Sequence, residues 1–437
     1  MESLRIEMVS DWYAPRIGGV ETSIFELSRA LARAGHEVFV VTNNGPRGSS
    51  LELSSEGVYV YRIKSIVNVR GVTADPLAVT KMALFGKRNA VDVVHAHGVT
   101  STLSFLSAMI SSGGTGIPSV LTHHSIIARS LPRPLRLLLR YVLKWPWVLT
   151  AVSRAAAEDL RELSGRDVLV THNCIDVRRW RELGSGGELE GEPSIVFVGR
   201  VTDRKNPLEI VSIARGIAKR LPKAKIYVVG DGELVRSLAS AVSSSGLADR
   251  VIMLGKRPRA DVAKIMSASD FLVTTSRNEA FGLAVLEAMA LGVVPVIYDS
   301  PGVRDLVIDG LNGRLAKGAD EVVEAIAALW EDPSAYKALS AAAAATSEKF
   351  DCSAVKDIYL SAYKRAIDGC EELDRRSLVY RAYRALVGDP VRRGEWCHGK
   401  KWYYHERARE GLVPVIRRRA RRAPLYQHGE GDRRGPP

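Results

Sequence analysis

Two glutamates, Glu279 and Glu287, bracket the stretch N-E-A-F-G-L-A-V-L-E, and Gly282 stands between them. Upstream, Phe271 to Ser276 (F-L-V-T-T-S) is short, apolar and β-rich, as a central strand of a parallel sheet would be. Downstream, Leu283, Leu286 and Met289 or Ala290 repeat at helical spacing, which predicts a helix from about Gly282 to Leu291. A helix entered directly from a strand aims its unpaired N–H groups and the positive end of its dipole at whatever lies beyond the strand, which favours an anion. The two carboxylates then accept hydrogen bonds from hydroxyls beside that anion. A sugar joined to a phosphate fits this arrangement; a capped, solvated helix fits the two glutamates equally well.

Cations for such an anion occur in V-G-R-V-T-D-R-K-N-P, residues 198–207. Beside Gly199, Arg200 offers a planar fork and Lys205 a point charge, both suited to a diphosphate. The paired Gly18 and Gly19, followed by Val20 and Glu21, precede an amphipathic helix marked by Ile24, Leu27 and Leu31 and ending at Gly35. Paired glycines let a backbone approach a phosphate closely, although a plain turn explains them as well. Gly230, Asp231, Gly232 and Glu233 form a further turn. His124, in T-H-H-S, is a candidate whose bland alternative is a structural role. His95 and His97, in V-V-H-A-H-G, either reach a second substrate or pack in the core.

The elements that must hold these groups alternate along the chain. Leu4 to Ser10, Glu37 to Thr42, Val58 to Ile63, Val91 to His95, Ser119 to Thr122, Trp147 to Val152 and Val168 to Thr171 read as strands with helical stretches between most of them. The fold class is therefore α/β and doubly wound. Polar, glycine-rich sequence at 182–193 marks a linker, after which strands at Ile195 to Val198, Lys225 to Val229, Val251 to Leu254, Phe271 to Ser276 and Val294 to Asp299 restart the pattern. We expect an N-terminal domain over 1–181, a C-terminal domain over 194–350, a helix over 351–372 returning to the first domain, and a basic tail over 373–437. Ligands of such folds collect at the carboxyl ends of the strands, where the candidate residues lie.

Composition narrows the class. The 437 residues carry a net charge of +13, of which +10 resides in 373–437 and only +3 in the rest. The most apolar window, Ala280 to Tyr298, is interrupted by Glu287, Gly292 and Pro295 and is read as helix, turn and strand, not as a membrane span. No signal peptide is expected, because Met1 to Arg5 leads into a strand. Cys174, Cys352, Cys370 and Cys397 form no close pair and no metal-ligand spacing, so a reducing cytoplasm is expected.

Taken together, G-G-V-E (18–21), V-G-R…K (198–205), G-D-G-E (230–233), N-E-A-F-G…E (278–287) and D-G-L-N-G (309–313) resemble, in order and spacing, glycosyltransferase family 4. The resemblance spans about residues 4–370. The opening M-V-S-D-W-Y-A-P-R-I-G-G-V-E and T-H-H-S are most similar to members that place N-acetylglucosamine on phosphatidylinositol in GPI-anchor synthesis. The resemblance implies a GT-B fold, with two Rossmann-like domains facing across a cleft. It also implies metal-free, retaining transfer of a sugar from a nucleotide diphosphate to an acceptor hydroxyl. By the same carry-over, Arg200 and Lys205 hold the diphosphate, Glu287 the ribose, and Glu279 the transferred sugar. Amides around Phe281, Gly282 and Leu283 contact the donor, Gly18 and Gly19 lie under the diphosphate or the acceptor, and His124 stands near the reacting sugar. His123 occupies a position where the GPI-type members have an acidic residue, which leaves open which of the two histidines faces the cleft. Two departures stand out: Asn206 replaces a glycine after the lysine, and S-P-G-V (300–303) replaces a paired-glycine loop. No general base is assigned, since retention in this fold is explained by same-face attack with the leaving phosphate taking the proton.

The donor base and sugar are written in no motif; UDP-N-acetylglucosamine follows from the GPI-type likeness alone. For the acceptor, Ser130 to Trp147 reads as a basic amphipathic helix, with Arg136, Arg140 and Lys144 in one row and Leu135, Leu138, Leu139 and Val142 on another face. That pattern suits an anionic membrane surface and a lipid-linked acceptor, or equally a helix packed on its own domain. The tail, with R-R-S-L-V-Y-R-A-Y-R and V-I-R-R-R-A-R-R, suits phospholipid headgroups better than nucleic acid. Two other functions compete: a nucleotide-sugar epimerase of the same architecture, and a non-catalytic scaffold with a nucleic-acid-binding tail.

Overall fold

The computed structural model describes residues 2–369, apart from positions 17, 44–47, 65–67, 70–71, 74–80, 82–84, 87, 112–115, 145 and 147. The tail at 373–437, the tryptophans at 145 and 147, and Cys370 and Cys397 lie outside the described residues.

One compact unit comprises Met1–Ala151, Leu160–Thr171 and the chain from Lys356. The strands of its main sheet are β1 (Arg5–Ser10), β2 (Glu37–Asn43), β3 (Ser50–Leu53), β4 (Tyr59–Ile63), β5 (Val93–His97), β6 (Ser119–His123), β7 (Val148–Ala151) and β8 (Leu169–Val170). They lie in the order β8-β7-β6-β5-β1-β2-β4-β3. Every pairing is parallel except that of β3 with β4. Strands β1, β5, β6 and β7 are buried along their whole length, as strands covered on both faces must be. Helix α1 (Gly19–Arg33) buries Ile24, Leu27 and Leu31, the residues whose spacing predicted it. It is followed by α2 (Thr102–Ile110), α3 (Arg133–Val142) and α4 (Arg154–Ser164).

The other unit comprises Val152–Asp159 and His172–Val355, so residues 182–193 lie inside it. After α5 (Val177–Gly184), its sheet is built from β9 (Ser194–Val198), β10 (Lys225–Val229), β11 (Val251–Gly255), β12 (Phe271–Leu272), β13 (Val294–Tyr298) and β14 (Arg314–Ala316). The order is β11-β10-β9-β12-β13-β14, parallel throughout. Between the strands run α6 (Glu209–Arg220), α7 (Val235–Ser244), α8 (Arg259–Ser267), α9 (Leu283–Ala290) and α10 (Ala319–Glu331), with α11 (Pro333–Ser347) and α12 (Cys352–Asp368) at the end. The core gathers Phe197, Ile213, Ile226, Phe271, Val296, Tyr298 and Ile326.

The chain passes between the units four times: after β7, inside α4, after β8 and inside α12. The later part of α12 is anchored in the first unit by two fully buried tyrosines. Tyr359 donates to the Thr171 carbonyl at 2.8 Å, and the Tyr363 hydroxyl meets His95 Nδ1 at 2.8 Å.

Three details depart from the sequence expectation. Strands β3 and β14 are additional, as is a short antiparallel pair of Asn68–Val69 with Val72–Thr73. Strand β12 stops at Leu272, although the Val273 amide still donates to Val196 at 2.9 Å and Val273 to Ser276 remain buried. Finally, Cys174 and Cys352 are not unpaired: they form a disulfide across 178 positions of sequence. Pairing of Ile175 with Asp351 brings the two segments side by side. The reducing compartment inferred from four single cysteines thereby loses its premise.

Candidate active site

Strand β9 runs into the loop carrying Gly199, Arg200 and Lys205, and β12 runs into the loop carrying Asn278, Glu279 and Phe281. Backbone and side chains tie these loops together. Thr275 Oγ1 donates to the Lys205 carbonyl at 2.9 Å, Ser276 Oγ to that of Arg204 at 3.2 Å, and Arg204 Nη1 to that of Asn278 at 3.4 Å. At the junction, Lys205 Nζ forms an ion pair with Glu279 Oε1. Burial alone would raise the Glu279 carboxyl, but the charge and hydrogen bond of Lys205, with Arg204 nearby, hold it below the usual carboxylate range. Two candidates from distant sequence are thus one charged pair, while Arg200 stands exposed.

The backbone of Glu279 is fixed too. Its amide donates to Ser300 Oγ at 2.8 Å, and its carbonyl accepts from the Gly302 amide at 3.0 Å. A Cβ at Gly302 would overlap the carbonyl of Glu279 and the backbone of Ala280. Ser300 and Gly302 are therefore positioning residues that motif reading misses, because S-P-G-V shows in sequence only as a departure from the family pattern. The other departure is resolved by geometry: Asn206 sits at φ 49°, a left-handed position that glycine takes freely and asparagine tolerates.

Gly282 caps α9 at φ 96°, and no side chain caps the helix, so its leading amides have no side-chain acceptor. Phe281 buries its ring against His172 and Phe350. One turn beyond Leu283, Glu287 lies 3.5 Å from the Arg259 guanidinium, which itself stacks over Trp180 at 4.9 Å. The G-D-G-E turn is structural in part: a Cβ at Gly230 would overlap the Gly199 carbonyl, and one at Gly232 that of Val201. The D-G-L-N-G turn closes through Asn312, whose Nδ2 donates to the Leu306 carbonyl at 3.0 Å.

In the first unit, Gly18 and Gly19 open α1, as their spacing predicted. Glu21 folds back over Gly18 and pairs with Arg16 at 3.2 Å. The preceding loop is held by Arg62, which donates to the Ala14 carbonyl at 2.6 Å. His124 does not stand alone. His97 Nδ1 and His124 Nε2 are 3.1 Å apart, and the His97 ring lies 4.0 Å from that of His95. His95 and His97, two apart on β5, share a face, and both are buried. His95 Nε2 continues to Thr122 at 2.6 Å, and Thr122 to Thr150 at 2.6 Å. His123 is buried at the end of β6, whereas His124 keeps partial exposure. Burial pushes His95 and His124 down to about 3, each with help from a neighbouring histidine, and holds His97 well below its ordinary value. The stack is neutral at physiological pH.

Comparison with known proteins decides the family. Residues 17–179 match the model described as Glycosyltransferase Family 4, and residues 179–346 match Glycosyl transferases group 1. The chain is a glycosyltransferase of this family. Among curated relatives, it is 28% identical to a phosphatidylinositol N-acetylglucosaminyltransferase component of Arabidopsis thaliana, over 74% of this chain and 73% of that one. It is 27% identical to N-acetyl-alpha-D-glucosaminyl L-malate synthase of Bacillus anthracis, over 70% and 82%. The crystal structure of Anabaena HepE with UDP and glucose superposes with a TM-score of 0.66 at 19% identity, covering 83% of this glycosyltransferase and 99% of HepE. That likeness establishes the GT-B fold of two Rossmann-like domains.

Proposed function

We propose that this glycosyltransferase moves N-acetylglucosamine from UDP-N-acetylglucosamine, with retention and without a metal, to a hydroxyl of a lipid-linked acceptor at the cytoplasmic face of a membrane. The observation that carries the reading is the Lys205–Glu279 pair beside the uncapped start of α9. A cation, a carboxylate held ionised and helix-start amides without a side-chain cap are the kinds of group that bind a sugar and a diphosphate, which supports this reading.

In this scheme Lys205, Arg200 and the amides of Phe281, Gly282 and Leu283 take the diphosphate, and Glu279 exchanges part of its contact with Lys205 for sugar hydroxyls. Glu287, steadied by Arg259, takes the ribose. The bond from the anomeric carbon to the phosphate oxygen breaks as the acceptor oxygen bonds to the same face. The acceptor proton passes to the leaving phosphate, and the nucleoside diphosphate departs. Positive charge and amides placed in advance around the phosphates stabilise that separation. His124, being neutral, orients a hydroxyl by hydrogen bonding. On the acceptor side, Gly18 and Gly19 supply the close backbone.

The names of both relatives contain N-acetylglucosamine, which supports the sugar; their acceptors differ, phosphatidylinositol in one and malate in the other. Among the described residues no helix is long and apolar enough to cross a membrane. The Cys174–Cys352 disulfide is the feature that suits a cytoplasmic location least.

A thermal-shift screen of nucleotide diphosphates and their sugars identifies the donor, and transfer is then assayed to lipid-linked and small soluble acceptors. Glu279→Ala should abolish transfer while keeping stabilisation by UDP; unimpaired transfer would sink the reading. An epimerised sugar after incubation with donor alone would favour the epimerase.

A further inference from the structure

Away from the donor-binding loops, α3 (Arg133–Val142) buries none of its residues. Among the described residues, four of the eight exposed large apolar side chains belong to this one helix: Leu135, Leu137, Leu138 and Tyr141, at 40%, 69%, 56% and 55% exposure. Helical spacing orders Leu137, Tyr141, Pro134, Leu138 and Leu135 as successive positions around its outer side, a continuous apolar stripe. Arg133 and Arg140, both exposed, lie along one edge of the stripe, and exposed Lys144 follows just past the helix end. The inner side is narrow: Arg136 and Leu139 are half-buried, and Arg136 reaches Glu162 at 3.6 Å, while half-buried Val142 lies between Leu138 and Leu135 within the stripe. The exposed faces thus differ from those expected from sequence, since Arg136 and Leu139 turn towards the protein while Val142 stays with Leu135 and Leu138.

An apolar stripe edged by arginines is complementary to a surface that is both apolar and of opposite charge. A second copy of the helix would bring arginine towards arginine. The chain's own tail, at 17 basic against 7 acidic residues, carries the same sign. A nucleic acid would match the cations but not a row of leucines. We propose that α3 is a membrane-docking helix that lies in the surface of an anionic bilayer. Leu135, Leu137, Leu138 and Tyr141 enter the acyl boundary, and Arg133, Arg140 and Lys144 sit at the level of the lipid phosphates. The inference deepens the lipid-acceptor reading but is tested apart from it, because vesicle binding requires neither donor nor acceptor.

Full-length protein is sedimented with vesicles of phosphatidylcholine alone or mixed with phosphatidylserine. Binding to the mixed vesicles, weakened by salt, is expected, with hydrogen exchange over 133–142 slowed. Replacing Leu137, Leu138 and Tyr141 together by serine should weaken binding on the order of tenfold or more. Arg133→Gln and Arg140→Gln should each cost about fivefold. The serine variant loses no packed side chain, so an unchanged unfolding midpoint and unchanged stabilisation by UDP verify its fold. Wild-type affinity in that variant would overturn the proposal and leave the basic tail as the anchor. So would equal binding to both vesicle types, or a solution dimer that the variant dissociates. Vesicle binding without transfer to any lipid acceptor would keep the docking helix and reject the lipid-acceptor reading.

Discussion

The loops after β9 and β12 in one unit and the histidine stack on β5 and β6 in the other both place titratable groups away from water, by opposite means. In the first, Glu279 stays charged because Lys205 offsets its burial. In the second, burial keeps His95, His97 and His124 neutral, and their ring nitrogens meet hydroxyls and one another instead of a carboxylate. The same unit buries Glu7 on β1, where burial raises its carboxyl well above the ordinary range and Oε2 has no hydrogen-bond partner among the described residues. Pairing builds a site that can hold a charged ligand. Desolvation builds one that offers neutral hydrogen bonds, and it makes that unit the one sensitive to pH.

The largest expected effect breaks the pairing. Lys205→Ala should lower kcat by about 10²–10³-fold and, by leaving Glu279 buried without its partner, destabilise the protein by roughly 3–5 kcal/mol. Adding Glu279→Gln should restore much of the stability and none of the activity, a non-additivity that denaturant unfolding and initial rates can measure. Equal stability of the two variants would mean that the pair is not coupled. Next, Gly302→Ala should cost about 1–3 kcal/mol, because the added methyl meets the Glu279 carbonyl. Transfer should fall in the same variant, since Glu279 is displaced.

The pH dependence sharpens the contrast. The folded pKa values of His95 and His124 lie below the unfolded value, so their contribution is complete above about pH 6.5 and is lost as pH falls towards 3. Each should add a slope of about 1.4 kcal/mol per pH unit in that window. Glu279, also depressed, keeps its contribution until the pH falls below the ordinary carboxylate range. Hydrogen exchange at pH 5 should therefore show β5 and β6 losing protection before β9 and β12. Glu7 has the opposite sign: raised in the fold, it favours the native state at low pH and opposes it as pH rises. Glu7→Gln should accordingly stabilise the protein at neutral pH by about 1 kcal/mol, or roughly 2–4 °C in Tm; a lower Tm would show that the carboxylate has a use.

What sequence could show follows the same division. The strand–Gly–helix pattern from Phe271 to Ala290 was legible because apolar period and backbone need coincide there, and Gly282 adopts the left-handed cap expected of a glycine. The Lys205–Glu279 pair was legible only as two roles, since 74 positions separate the residues. Ser300, Gly302 and Arg204 were missed because they act through backbone carbonyls and amides, which no side-chain motif encodes. The histidine stack reads in sequence as separate residues: opposite faces alternate between neighbours, but His95 and His97 are two apart and share one. On α3, periodicity supplied the amphipathic character but not which edge meets the protein. The exposure of Leu135, Leu137, Leu138 and Tyr141 and the contact of Arg136 with Glu162 together fix that rotation.

The bond between Cys174 and Cys352 gives the second unit an unusual topology. Nearly all of that unit, from just after its entry at His172 to just before its exit at Val355, becomes a covalently closed loop. A single protease cut anywhere between the two cysteines would open the ring without releasing a piece. The nicked chain would travel as one species until reduced, and only then separate into two fragments.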